Sequence, residues 1–155
     1  MPQVNVDQLD QFIGQETGVS EWLEINQERV NKFADVTEDH QFIHVDPERA
    51  KHTQFGGPIA HGFLTLSLLP HFGYTSNGLK LNNLAVSINY GLNKVRFLSP
   101  VPVGSKVRAR YKFLGYDEKR PGNVLLRNEV TVEIEGVDKP ALIAETLSMA
   151  VLAKN

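Results

Sequence analysis

Ile59-Ala60-His61-Gly62-Phe63-Leu64-Thr65-Leu66-Ser67-Leu68-Leu69-Pro70-His71-Phe72 is the most continuous apolar run of the chain. Ile59, Ala60, Phe63, Leu64, Leu66, Leu68, Leu69 and Phe72 leave little polar face, so a long helix built from this run is expected inside the fold. Pro70 lacks an N–H and crowds the preceding turn, which predicts a kink or an end close to it. The approach to the run, Gln54-Phe55-Gly56-Gly57-Pro58, is rich in turn formers.

Upstream, Val6 to Phe12 reads as a short amphipathic helix that Gly14-Gln15-Glu16-Thr17-Gly18 breaks, making residues 1–18 a helical packing arm. Val19 to Ile25 reads as an edge strand. Asn26 is placed to cap a helix that carries Val30, Phe33 and Ala34 on one side and ends near Thr37. Asp39 to His44 follows as a loop, and Asp46-Pro47 opens another short helix, with Pro47 where a missing N–H costs nothing.

Downstream the period changes to two. Val107, Ala109, Tyr111 and Phe113 alternate with Arg108, Arg110 and Lys112, and Val130, Val132 and Ile134 with Glu129, Thr131 and Glu133, as in strands with one wet face whose charges can pair across the sheet. Ala85 to Tyr90, Lys94 to Phe97 and Leu142 to Val151 read as further strands. Gly104, Asp117 to Gly122 and Gly136 to Pro140 read as turns. Helices first, then one apolar helix, then four or five antiparallel strands predict an α+β fold with a curved antiparallel sheet around a central apolar helix.

A chain of 155 residues fits one domain, 1–155, able to bury a core without disulfide, metal or cofactor. Without cysteine there is neither a thiolate nucleophile nor cysteine-ligated zinc. With 16 basic and 18 acidic residues no global field favours nucleic acid. No stretch reaches the roughly 20 apolar residues of a membrane span. The N-terminus lacks a basic-then-apolar export pattern, so the chain reads as cytoplasmic. Small molecules and other subunits are the expected partners.

Asp39 and His44, five positions apart, can converge on one water, and Gly62 at a helix start offers a bare N–H to a developing oxyanion. The combination points to proton transfer beside a carbonyl. His61 reads as a pocket-lining histidine bonded to nearby backbone. His40, His44 and His61 lack the spacing of a metal site, and none is expected. Gly56-Gly57 lacks the lysine and hydroxyl of a phosphate loop and reads as a turn. Lys94 and Arg96 are either a strand's solvated face or contacts for phosphate.

The segment Phe33-Ala34 through Asp39, His44, Asp46-Pro47 and Ala50, then Phe55 and Ile59-Ala60-His61-Gly62, resembles the MaoC-like, (R)-specific enoyl-CoA hydratases of the hot-dog fold. Gln41 to Ala50, His61 to Pro70 and Asn89 to Phe97 are similar to the nodulation-protein-N-like branch, and the resemblance runs from about Ser20 to the C-terminus. It implies a sheet wrapped around a helix, a homodimer, and syn addition of water across a trans-2-enoyl thioester or its reverse. Asp39 and His44 then handle the water, and the Gly62 amide polarises the thioester carbonyl. His61, Phe63, Phe42, Lys94 and Arg96 are the candidate substrate-binding residues. The thioester carrier is coenzyme A or acyl carrier protein. Many family members carry Asn-Pro where Gln41-Phe42 stand, so Phe42 is expected to narrow the acyl channel. Some carry a serine where Pro70 falls. A hot-dog thioesterase and a non-catalytic acyl-CoA-binding protein are the alternative readings.

Overall fold

The structure is a computed structural model describing residues 3–154. Positions 1 and 2 of the expected arm and Asn155 lie outside the described residues. In chain order the elements are β1 (Gln3–Val4), a 3-10 helix (Val6–Phe12), β2 (Glu16–Val19), β3 (Leu23–Glu24), α1 (Gln27–Thr37), α2 (Phe42–Val45), α3 (Pro47–Ala50), α4 (Gly62–Ser67), α5 (Leu69–Thr75), β4 (Lys80–Leu81), β5 (Leu84–Phe97), β6 (Lys106–Arg120), β7 (Asn123–Ile134) and β8 (Leu142–Leu152). A six-stranded antiparallel sheet has the order β2-β6-β7-β8-β5, with β3 also paired to β6. β1 and β4 form a separate parallel pair.

The apolar run forms the centre, though not as one helix. Ile59 bridges Pro102 and the Ala60 N–H bonds to the Val101 carbonyl (2.8 Å), so the helix begins only at Gly62. It breaks at Leu68, because Pro70 sits in the first turn of α5 and supplies no N–H to the turn before. The Tyr111 hydroxyl donates to the Leu69 carbonyl at the break (2.7 Å), tying it to β6. Leu64, Leu69 and Phe72 pack against Val107, Ala109, Val130 and Leu142 of the sheet. Burial is one-sided: Phe63 is 69% exposed.

Other boundaries move for equally local reasons. The expected strand over Val19 to Ile25 splits into β2 and β3, and Ser20 between them donates its N–H to Ala109 (2.9 Å). The expected breaker at Gly14 to Gly18 is largely β2, paired with β6. Ala85 to Tyr90 and Lys94 to Phe97 fuse into β5, whose register shifts between Asn89 and Gly91 and between Leu92 and Lys94 absorb the irregular residues. The charged run Asp117 to Arg120 stays in β6, paired with Asn123 to Leu125. The turn is only Pro121-Gly122, where Gly122 takes φ +79° at little steric cost. The expected cross-strand charge pairing is present. Arg108 and Arg110 both meet Glu133, and Arg110 reaches Glu16 (3.1 Å).

The N-terminal arm is integral to the fold. Leu9 is fully buried with Val4, Leu81, Phe113, Val124 and Ala150 in a second apolar cluster at the far end of the sheet. Leu9→Ala removes a buried side chain from it, and urea denaturation should show a loss of about 2–5 kcal/mol. A change under about 0.5 kcal/mol would mean the arm adds nothing to the fold.

Candidate active site

The α1 helix stops at Glu38, which adopts the left-handed conformation (φ 65°) and turns the chain into Asp39. His44 lies on α2, not on a loop, and the short helix fixes its direction. Gln27 of α1 donates to the His44 carbonyl (2.8 Å) and holds α2 in place. The His44 ring is buried, with Nδ1 2.7 Å from the Ile59 carbonyl. A carbonyl only accepts, so Nδ1 carries the proton and Nε2 keeps the lone pair of a base.

His61 mirrors this arrangement. Its Nε2–H donates to the Asp39 backbone carbonyl (3.0 Å), which leaves a lone pair on Nδ1 with no partner among the described residues. The two imidazoles stack at 3.9 Å and 26°, and the Phe33 ring lies 4.9 Å from His61. Burial, reinforced by the neighbouring His44, holds the His61 pKa below its ordinary value despite the opposing pull of the Asp39 carbonyl. The Asp39 carboxylate is half exposed, 4.0 Å from His61 Nε2, and accepts the Gln41 N–H (3.3 Å).

One potential ligand atom from each of Asp39, His44 and His61 lies within 4.8 Å of the others. The rings' remaining lone pairs lie in near-parallel planes, however, which suits stacking better than tetrahedral convergence on an ion.

Beside the pair lies a cavity of about 220 Å³, whose lining joins the polar His44 and Thr65 and the backbone of Gly62 to the apolar Phe97, Leu98 and Leu142. Gly62 is the first residue of α4, and a Cβ there would sit 2.9 Å from the Phe97 ring, so only glycine admits this close approach.

Of the other expected site residues, His61 and Phe63 are not among those that line the cavity, though the Phe63 ring lies 5.8 Å from that of Phe97. Phe42 is outside the cavity lining, its ring beneath the Arg49 guanidinium (4.2 Å). Lys94 and Arg96 lie on β5, on the face opposite Val95, which packs on the core. Arg96 donates to the Val95 carbonyl (2.7 Å). His40 is exposed and bonded to Asp35 (2.9 Å). Sequence reading missed the Ile59 carbonyl, Phe97 and Thr65. Only Thr65 left a signal, as a hydroxyl inside an apolar run.

A curved antiparallel sheet around a short central helix, with the polar cluster at the helix start, is the hot-dog architecture. The chain belongs to the MaoC like domain family, which matches residues 8–134. It is 52% identical over 146 residues to 3-hydroxyacyl-thioester dehydratase Z of Mycobacterium tuberculosis, covering 92% of this chain and 93% of that protein. To Nodulation protein N of Rhizobium meliloti it is 44% identical over 151 residues, covering 97% and 93%. The solved structure of R-hydratase PhaJ1 from Pseudomonas aeruginosa superposes with a TM-score of 0.71 at 27% identity, over 91% of this chain and 83% of that one.

The depressed His61 pKa makes stability depend on pH. Below about pH 6.5 the unfolded state takes up the proton that the folded state resists, so unfolding free energy falls as pH drops from about 7 to 5. His61→Gln should flatten that decline in urea melts across this range. Parallel curves for the two proteins would show that His61 is not its source.

Proposed function

We propose that this protein interconverts trans-2-enoyl thioesters and (R)-3-hydroxyacyl thioesters by adding or removing water. The observation that carries the proposal is the oriented His44, its Nε2 free to accept a proton beside a cavity that Gly62 also lines. Asp39, with a carboxylate oxygen within 4.8 Å of a ring nitrogen of His44, and relatives named 3-hydroxyacyl-thioester dehydratase and R-hydratase, support it.

In hydration Asp39 and His44 hold one water; its oxygen bonds to C3, its proton is taken up by the pair, and C2 receives a proton on the same face. The electrons of the double bond move onto the carbonyl oxygen, to which the Gly62 N–H donates a hydrogen bond. One such donor is commonly worth about 3 kcal/mol of barrier. The apolar wall accepts the acyl chain, and the carrier is coenzyme A or acyl carrier protein. Lys94 and Arg96, outside the cavity, serve at most the carrier's distant phosphates. In this reading residues 1–155 work as one cytoplasmic domain.

The working form we propose is a homodimer joined along β5. That strand ends the sheet order, so one backbone edge is unpaired, and Leu84, Val86, Ile88, Tyr90 and Leu92 are all exposed along it. A long apolar edge is an aggregation hazard unless it is covered, and a second copy covers it symmetrically.

Crotonyl-CoA incubated with the protein should lose its conjugated absorbance. Asp39→Asn and His44→Ala should each lower kcat/KM by about 10²–10⁴-fold while leaving the far-ultraviolet circular dichroism unchanged. Near-normal turnover in either variant refutes the assignment. Release of free thiol would indicate a thioesterase, and no change over several chain lengths a binding protein. Sedimentation should give twice the 17.3 kDa chain mass, and Ile88→Asp should shift it to monomer; a monomeric parent protein would remove the proposed interface.

A further inference from the structure

Every serine and threonine on the helices except one bonds back to its own helix. Thr37 donates to the Phe33 carbonyl (2.7 Å), Ser67 to Phe63 (2.7 Å) and Thr75 to His71 (3.4 Å), the usual arrangement for a helical hydroxyl. Thr65 does not. It is 2% exposed, its Oγ1 has no hydrogen-bond partner among the described residues, and it lines the cavity shared by His44 and Gly62. A buried hydroxyl left unpaired is uncommon enough in native proteins to require a reason.

We propose that Thr65 is a catalytic residue whose hydroxyl donates to the thioester carbonyl oxygen beside the Gly62 N–H, giving the oxyanion a second donor. The proposal rests on the hydratase reading above. Side chains on an α-helix lean towards its N-terminal end, so Thr65, three residues after Gly62, leans towards the glycine amide. The carbonyl oxygen has more than one lone pair, and a single N–H satisfies one of them. No other member of the site fits the second role: the Asp39 carboxylate cannot donate, and His44 Nε2 offers a lone pair. Ser99, the other hydroxyl of the cavity, is only half-buried on the connection after β5.

Thr65 keeps its proton throughout. Water adds to C3, the double-bond electrons collect on the carbonyl oxygen, and both donor bonds strengthen. The enolate then collapses as C2 takes its proton, so nothing beyond water and the proton relay is consumed.

The test compares Thr65→Val, of the same shape without the hydroxyl, with Thr65→Ser. The valine variant should lose about a hundredfold in kcat with KM little changed, as for an interaction made chiefly in the transition state. Serine should recover most of that loss. The thermal midpoint of the valine variant should equal or exceed the parent's, because no paired hydroxyl is removed. A structural hydroxyl would instead lower stability together with activity. Bound 2,4-hexadienoyl-CoA gives a readout without turnover, since polarisation of its carbonyl shifts its absorbance to the red. The parent and the serine variant should show that shift and the valine variant should lose most of it. Parent-like kcat and shift in the valine variant, or a serine variant as impaired as valine, overturns the role of Thr65 and leaves the hydratase reading standing. A parent protein that neither turns over enoyl thioesters nor shifts the dienoyl spectrum removes that reading, and this assignment with it.

Discussion

Two reciprocal hydrogen bonds hold the site together. His44, from the stretch after α1, donates to the carbonyl of Ile59, while His61, from the stretch before α4, donates back to the carbonyl of Asp39. The Ile59 N–H closes the pairing on the Ile43 carbonyl (2.9 Å). Each segment thus supplies an imidazole to the other's backbone, which ties the two together. Buried carbonyls need partners, and here the bond that satisfies Ile59 also sets the His44 tautomer.

Stacking the two rings adds an electrostatic constraint. A positive charge on one ring 3.9 Å from the other meets little screening in a buried setting, so the neighbouring ring adds to burial in disfavouring charge on His61. The Asp39 carboxylate is half exposed while its backbone carbonyl is pinned by His61.

Much of this was legible in the sequence, though unevenly. The period-two alternation of β6 and β7 and the capped α1 were readable because each depends on local pattern. Asp39, His44 and Gly62 were legible as candidates because they are side chains, or the lack of one, and the structure places His44 and Gly62 on one cavity and Asp39 close to His44. The carbonyls of Asp39 and Ile59 were not, since a backbone oxygen leaves no trace in residue identity. The central run looked like one helix because composition cannot show that Ile59 and Ala60 would pair with Pro102 and Val101 in extended form. Gly91 and Asn93 looked like a break in β5, and Asp117 to Arg120 looked like a loop. In both places pairing with a neighbouring strand overrode local preference.

The cavity has two walls of different character. The polar wall is cross-tied: the Ala60 N–H is held by Val101 and the Val103 N–H by Pro58 (2.9 Å). The backbone around His44 and Gly62 therefore has little freedom. The opposite wall is made of side chains, Phe97 and Leu98 at the end of an edge strand, and both remain substantially exposed. Their rotamers can change at small cost, whereas moving Gly62 would disturb several backbone hydrogen bonds at once. The lining thus joins a fixed polar end to an adaptable apolar end. The constraint that links them is the Gly62–Phe97 approach, where any side chain at residue 62 would push the adaptable wall away from the fixed one.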